Sequence, residues 1–108
     1  MESQSLKVVW TDPAKSDLQK IYDYLAEISV IVAENQIYRI INRVELLEQG
    51  YAQIGQKEPL LKSHTNEYRY LVQDNYKLIY HQFANEIVID MVFDTRQNPK
   101  KLSGNIVS

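Results

Sequence analysis

The apolar positions of the chain follow two periods. From Ala14 to Tyr51 they recur at three and four residues, and from Tyr68 to Phe93 they recur mostly at two. The first spacing lays an apolar stripe along a helix, and the second lines one face of a strand. Ala14, Leu18, Ile21, Leu25 and Ile28 form the stripe of a first helix running to about Ile28. Thr11 or Asp12 is its N-cap, and Pro13 fits its first turn, where a missing N–H costs nothing. Ser29 caps a second helix carrying Ala33, Ile37, Ile40, Ile41, Val44, Leu47 and Tyr51, with Gly50 or Gly55 as its end. Val30-Ile31-Val32 is β-branched, yet the longer period outweighs three residues of strand propensity. Two helices with almost no linker make an antiparallel hairpin.

Ahead of the helices, Leu6-Lys7-Val8-Val9-Trp10 is a short run of strand formers stopped by Thr11-Asp12-Pro13. Gly55 to Glu67 is polar, contains Pro59 and has no clear period, so it reads as a loop with room for a short strand at Leu60-Leu61. Tyr68 to Val72, Tyr76 to Phe83 and Ile87 to Phe93 are three further strands, joined at Asp74-Asn75 and Ala84-Asn85, both suited to tight hairpin turns. The expected class is α+β: a strand, a helical hairpin, then a three-stranded antiparallel meander, with the helices on one face of the small sheet. The first strand joins the meander at an edge or beside its end. One domain spans residues 1–108, with a core over about 6–96 and an extended or mobile tail over 97–108.

Composition narrows the function classes. With 44% hydrophobic and 24% charged residues, three glycines and three prolines, the chain is an ordinary folded protein. The lack of cysteine excludes disulfides, thiolate metal sites and a cysteine nucleophile. No apolar run nears the roughly 18 residues of a membrane span, and no signal sequence opens the chain, so a soluble, cytoplasmic protein without a membrane partner is expected. The net charge of −2 argues against broad phosphate binding. It is unevenly spread: residues 1–54 carry −3 and residues 55–108 carry +1, which moves the basic character toward the C-terminal half.

Several segments carry a resemblance. Val9-Trp10-Thr11-Asp12-Pro13-Ala14 and Asp17-Leu18-Gln19-Lys20-Ile21-Tyr22-Asp23-Tyr24-Leu25 are similar to the opening strand and first helix of the ParE branch of the RelE/ParE toxin superfamily. Tyr68-Arg69-Tyr70-Leu71-Val72 with Asn75-Tyr76-Lys77-Leu78-Ile79-Tyr80 resembles the superfamily's central hairpin, and Val92-Phe93-Asp94-Thr95-Arg96-Gln97-Asn98-Pro99 its last strand and tail. The resemblance spans roughly residues 6–102. It implies a bacterial toxin of a type II toxin-antitoxin, plasmid-stabilisation system that arrests growth and is neutralised by a cognate antitoxin protein. In the ParE branch the implied target is DNA gyrase, inhibited by binding, with no active site and no cofactor. In the RelE branch it is the ribosome with its mRNA, cut by an endoribonuclease. A third possibility is a non-toxic relative that only binds its antitoxin. A homodimer or a toxin-antitoxin hetero-oligomer fits any of these.

For the nuclease, cations must stabilise phosphorane charge and another group must handle the 2′-hydroxyl proton. Arg69, Lys77 and Arg96 are the candidate residues. Nuclease members usually have an arginine where Lys77 stands, and a tyrosine, sometimes with a histidine, near the C-terminus; no histidine or tyrosine follows Arg96 here. A two-residue turn at Asp74-Asn75 sets Arg69 opposite Tyr80 and Lys77 opposite Val72, on opposite faces, unless a bulge shifts the register. For Arg69 the favoured reading is a structural arginine whose stem covers the sheet and whose head pairs with a carboxylate such as Asp90 or Glu67. Arg96 lies past the last strand, where no core calls for an arginine, and with Lys100 and Lys101 it forms the candidate target-binding patch, the alternative being a solubilising end. His64 and His81 have no metal spacing, and no metal is expected. His81 is a general-base candidate weighed against a packing role. Tyr68, Tyr70, Tyr76 and Tyr80 suit strand propensity and a protein interface better than base stacking.

Overall fold

The computed structural model describes residues 6–49, 55–58 and 67–96. Strand β1 (Lys7–Trp10) leads into helix α1 (Asp12–Ala26), a short turn and helix α2 (Val30–Glu48). Strands β2 (Gln56–Lys57), β3 (Arg69–Gln73), β4 (Tyr76–Phe83) and β5 (Glu86–Asp94) follow. Thr11 caps α1 with its Oγ1 accepting the Ala14 N–H at 3.2 Å. Ser29 caps α2 in the same way, accepting from Val32 at 3.3 Å. Both caps satisfy N–H groups that have no partner inside the helix.

The stripes meet their expectation except at Ile28 and at Ile41, which is 37% exposed in the middle of α2. Ala14, Ala33, Ile40, Val44 and Leu47 are buried, whereas Ile28 is 73% exposed. Helix α1 stops at Ala26, so Ile28 lies in the turn, its N–H bonded to the Leu25 carbonyl at 2.9 Å. Helix α2 closes at Glu48, where the Gln49 N–H returns to the carbonyls of Leu46 and Leu47. Gly50 and Tyr51 lie outside the described residues.

The sheet is mixed, in the order β1-β5-β4-β3-β2. β1 runs parallel to β5, beside the meander's end as expected, and the other pairs are antiparallel. β2 falls within the stretch read as loop, and its two residues are too few to show a period. The strand expected at Leu60-Leu61 lies outside the described residues. Gly55 explains why the chain comes so close to the sheet there. Its N–H donates to Tyr80 Oη at 3.1 Å, and a Cβ at this position would collide with that oxygen and lie 2.8 Å from the Tyr70 carbonyl.

The register slips once, between β4 and β5. Ile79 pairs with Met91 and Tyr80 with Ile89, which leaves Asp90 as an extra residue. Ile87 and Ile89 therefore face the helices before the bulge and Val92 after it, in one cluster with Ile40, Val44, Leu47, Leu71 and Leu78. Met91 and Phe93 turn to the other face and pack with Tyr68 and Ile79. Helix α1 holds the bulge in place. Thr11 Oγ1 donates to the carbonyls of Ile89 and Asp90 at 2.9 and 3.1 Å, and Asp17 Oδ2 accepts the Val92 N–H at 3.0 Å, beyond the point where β1 leaves β5.

Candidate functional site

The three cations named for RNA cleavage are dispersed. Arg69 is paired with Tyr80 and Lys77 with Val72, the register of a two-residue turn, so the two side chains leave opposite faces of the sheet. On the helix side, Arg69 Nη1 donates to the Gly55 carbonyl at 2.8 Å and Nη2 meets Glu67 at 2.9 Å. It staples β2 to β3. On the other side, Lys77 Nζ sits 2.8 Å from Glu58, whose side chain is fully buried, and 4.3 Å from the centre of the Tyr70 ring. A carboxylate so enclosed needs a cation beside it, which makes this lysine a counter-ion within the sheet.

Arg96 stands apart, in the turn after β5, with 55% of its side chain exposed. Its Nε and Nη2 fork the Asp94 carboxylate at 2.9 and 2.8 Å, and its own N–H closes on the same carboxylate at 2.9 Å. The fork holds the Asp94 carboxyl below its usual range, through the hydrogen bond first and the Arg96 charge after it. The same contact moves the guanidinium further above its ordinary value. Lys100, Lys101 and His64 lie outside the described residues.

His81 has a carboxylate partner that sequence spacing does not reveal. Its Nδ1 lies 2.7 Å from Asp90 Oδ2, with both side chains about 15% exposed or less, and Tyr68 meets the ring edge-on at 5.5 Å. Asp90 reaches across because it is the bulged residue of β5. Arg69, paired with Glu67, is left without it.

A concavity lies elsewhere, between α1 and the C-terminal half of β5. It encloses about 500 Å³, and Lys20, Ile21 and Tyr24 of α1 face Tyr76, Asp94 and Arg96 across it. Asp17 forms part of its wall, with its carboxyl raised by burial although the Val92 N–H bond pulls the other way. Burial also raises the Tyr76 hydroxyl, and the Asp94 charge adds to the effect. The cleft thus sets the cations of Lys20 and Arg96 and the rings of Tyr24 and Tyr76 beside the carboxylates of Asp17 and Asp94, on a lining more polar than apolar. Among the described residues no group of three His, Cys, Asp or Glu side chains is placed to hold a metal ion. Among the described residues no helix is long and apolar enough to cross a membrane.

Lys20 and Tyr24 did not enter the sequence-based site. Their signal was present, since Asp17, Lys20 and Tyr24 recur at three and four residues on α1 beside the core stripe. Nothing in one helix, however, shows which strand lies opposite.

Comparison with known proteins agrees with this architecture. No curated protein matches the chain. A solved structure, that of the chromosomal ParDE TA system from P. aeruginosa, is similar over 85% of this chain and 98% of its own, with 26% identity and a TM-score of 0.69. The model of the family described as ParE toxin of type II toxin-antitoxin system, parDE, matches residues 8–99, and the chain therefore belongs to the ParE toxin family.

Proposed function

We propose that this toxin arrests growth by binding DNA gyrase and inhibiting it, and that a cognate antitoxin neutralises it in the cytoplasm. The observation that carries this reading is the placement of the three cations. Arg69 and Lys77 are engaged on opposite faces of the sheet, which supports a binding role over one for three cations converging on a phosphate. Arg96 remains exposed at the end of β5 as the target contact, with Lys100 and Lys101 following it in the chain. The antitoxin would add a strand to β1, which among the described residues has a partner on one side only. The structure of the ParDE system from P. aeruginosa supports such a partner.

Expression of the toxin alone should filament cells and induce a DNA-damage response, and co-expression of the protein encoded beside it should restore growth. Cleavage of ribosome-bound mRNA with normal supercoiling would favour the endoribonuclease instead. The His81–Asp90 pair is the observation on that side, because a carboxylate at Nδ1 orients an imidazole as a base. His81→Ala would then abolish cleavage, whereas under the gyrase reading it leaves the cellular phenotype in place. Unimpaired growth would identify a relative that only binds its antitoxin.

A further inference from the structure

We infer that the cleft between α1 and the C-terminal half of β5 receives an acidic segment of the toxin's target protein, with Lys20 and Tyr24 of α1 sharing the contact with Arg96. This rests on the reading of Arg96 as a target contact and extends it to a second element. The carboxylates of the cleft already hold donors: Asp17 accepts the Val92 N–H, and Asp94 is forked by Arg96. Facing outward are an exposed Lys20 and the Nη1 edge of Arg96, which Asp94 does not use. Tyr24, 60% exposed, adds a ring and a hydroxyl beside them. The donors of Lys20 and Arg96 beside the exposed Tyr24 ring are complementary to carboxylates carried next to an apolar or aromatic residue.

Two features favour a peptide over a nucleic acid and side-chain recognition over strand pairing. A space of about 500 Å³ takes side chains rather than a duplex, and a net charge of −2 argues against broad phosphate binding. Asp17 takes up the Val92 N–H, so β5 is blunted as an edge at that point.

The test measures inhibition of supercoiling by purified gyrase holoenzyme with the wild-type toxin, Lys20→Glu, Tyr24→Ala, Arg96→Ala and the control Tyr38→Ala on exposed α2 surface. Lys20→Glu and Tyr24→Ala should each raise the inhibitory concentration about tenfold or more, as loss of an interface anchor does, with unchanged melting temperature. Tyr38→Ala should match wild type. Inhibition by wild type should weaken with added salt, and less steeply in Lys20→Glu. Wild-type potency in both α1 variants, with Arg96→Ala inactive, would overturn the inference and leave the Arg96 reading standing. A toxin that binds duplex DNA without gyrase, and loses that binding in Lys20→Glu, would overturn the peptide assignment. Failure of the wild-type toxin to inhibit gyrase would overturn both readings.

Discussion

Asp17 couples a helix to a strand end through one carboxyl oxygen. Burial holds its pKa up, so the fold favours the protonated acid, and the stability this contributes is lost as pH rises from the ordinary carboxylate value through the raised one. Asp17→Asn removes the charge and retains an acceptor for Val92, so at neutral pH it should be at least as stable as wild type. Asp17→Ala leaves that N–H unpaired beside a residue only 5% exposed, at a cost of about 1–3 kcal/mol. Urea denaturation separates the two, and equal stability of the Asn and Ala variants would contradict the account. Gly55 is a second residue with one physical reason. Gly55→Ala drives a methyl into Tyr80 Oη and the Tyr70 carbonyl, and should cost about 1–3 kcal/mol and loosen β2 from β3. An unperturbed melting temperature would speak against that close approach.

At the scale of elements, the two hairpins of the meander turn through positive φ at Asp74 (56°) and Ala84 (55°). Asp74 is compensated. Its Oδ2 collects Gln36 at 2.9 Å, Arg39 at 3.0 Å and Gln73 at 3.1 Å, which ties the β3–β4 turn to α2. Ala84 has no side-chain hydrogen bond to offset its backbone strain, so Ala84→Gly should stabilise by about 1 kcal/mol in thermal unfolding. A loss of stability would show that the turn needs the methyl. These elements also show what was legible in advance. The helical stripes, both N-caps and the register from Arg69 to Tyr80 follow from local spacing and local turn chemistry. The bulge at Asp90 does not, because Ile87-Val88-Ile89-Asp90-Met91-Val92-Phe93 is apolar at nearly every position and a one-residue slip leaves no trace in such a run. The Asp90 partner of His81 was hidden for the same reason, and the α1–β5 cleft was hidden because it forms between elements more than 60 residues apart.

For the whole molecule, the acid limit of stability follows from carboxylates held low in the fold. Asp74 is lowered by its bonds from Gln36, Gln73 and Arg39, and Asp94 by Arg96. Their contributions are present above the unfolded value of about 4 and are lost as pH falls through the lower folded values. Melting temperature should therefore drop below pH of about 4, and drop less in Asp74→Asn, which has already lost part of the effect. An unchanged acid limb in that variant would argue that other carboxylates set it. The proposed target contact depends on the same framework, because the bulge and its anchors at the start of α1 lie on the strand that carries Asp94 toward Arg96 and the cleft. The most direct test of the central claim is supercoiling of relaxed plasmid by purified gyrase with and without the purified toxin. The account predicts loss of supercoiling that the cognate antitoxin restores, and undiminished supercoiling at saturating toxin would contradict it.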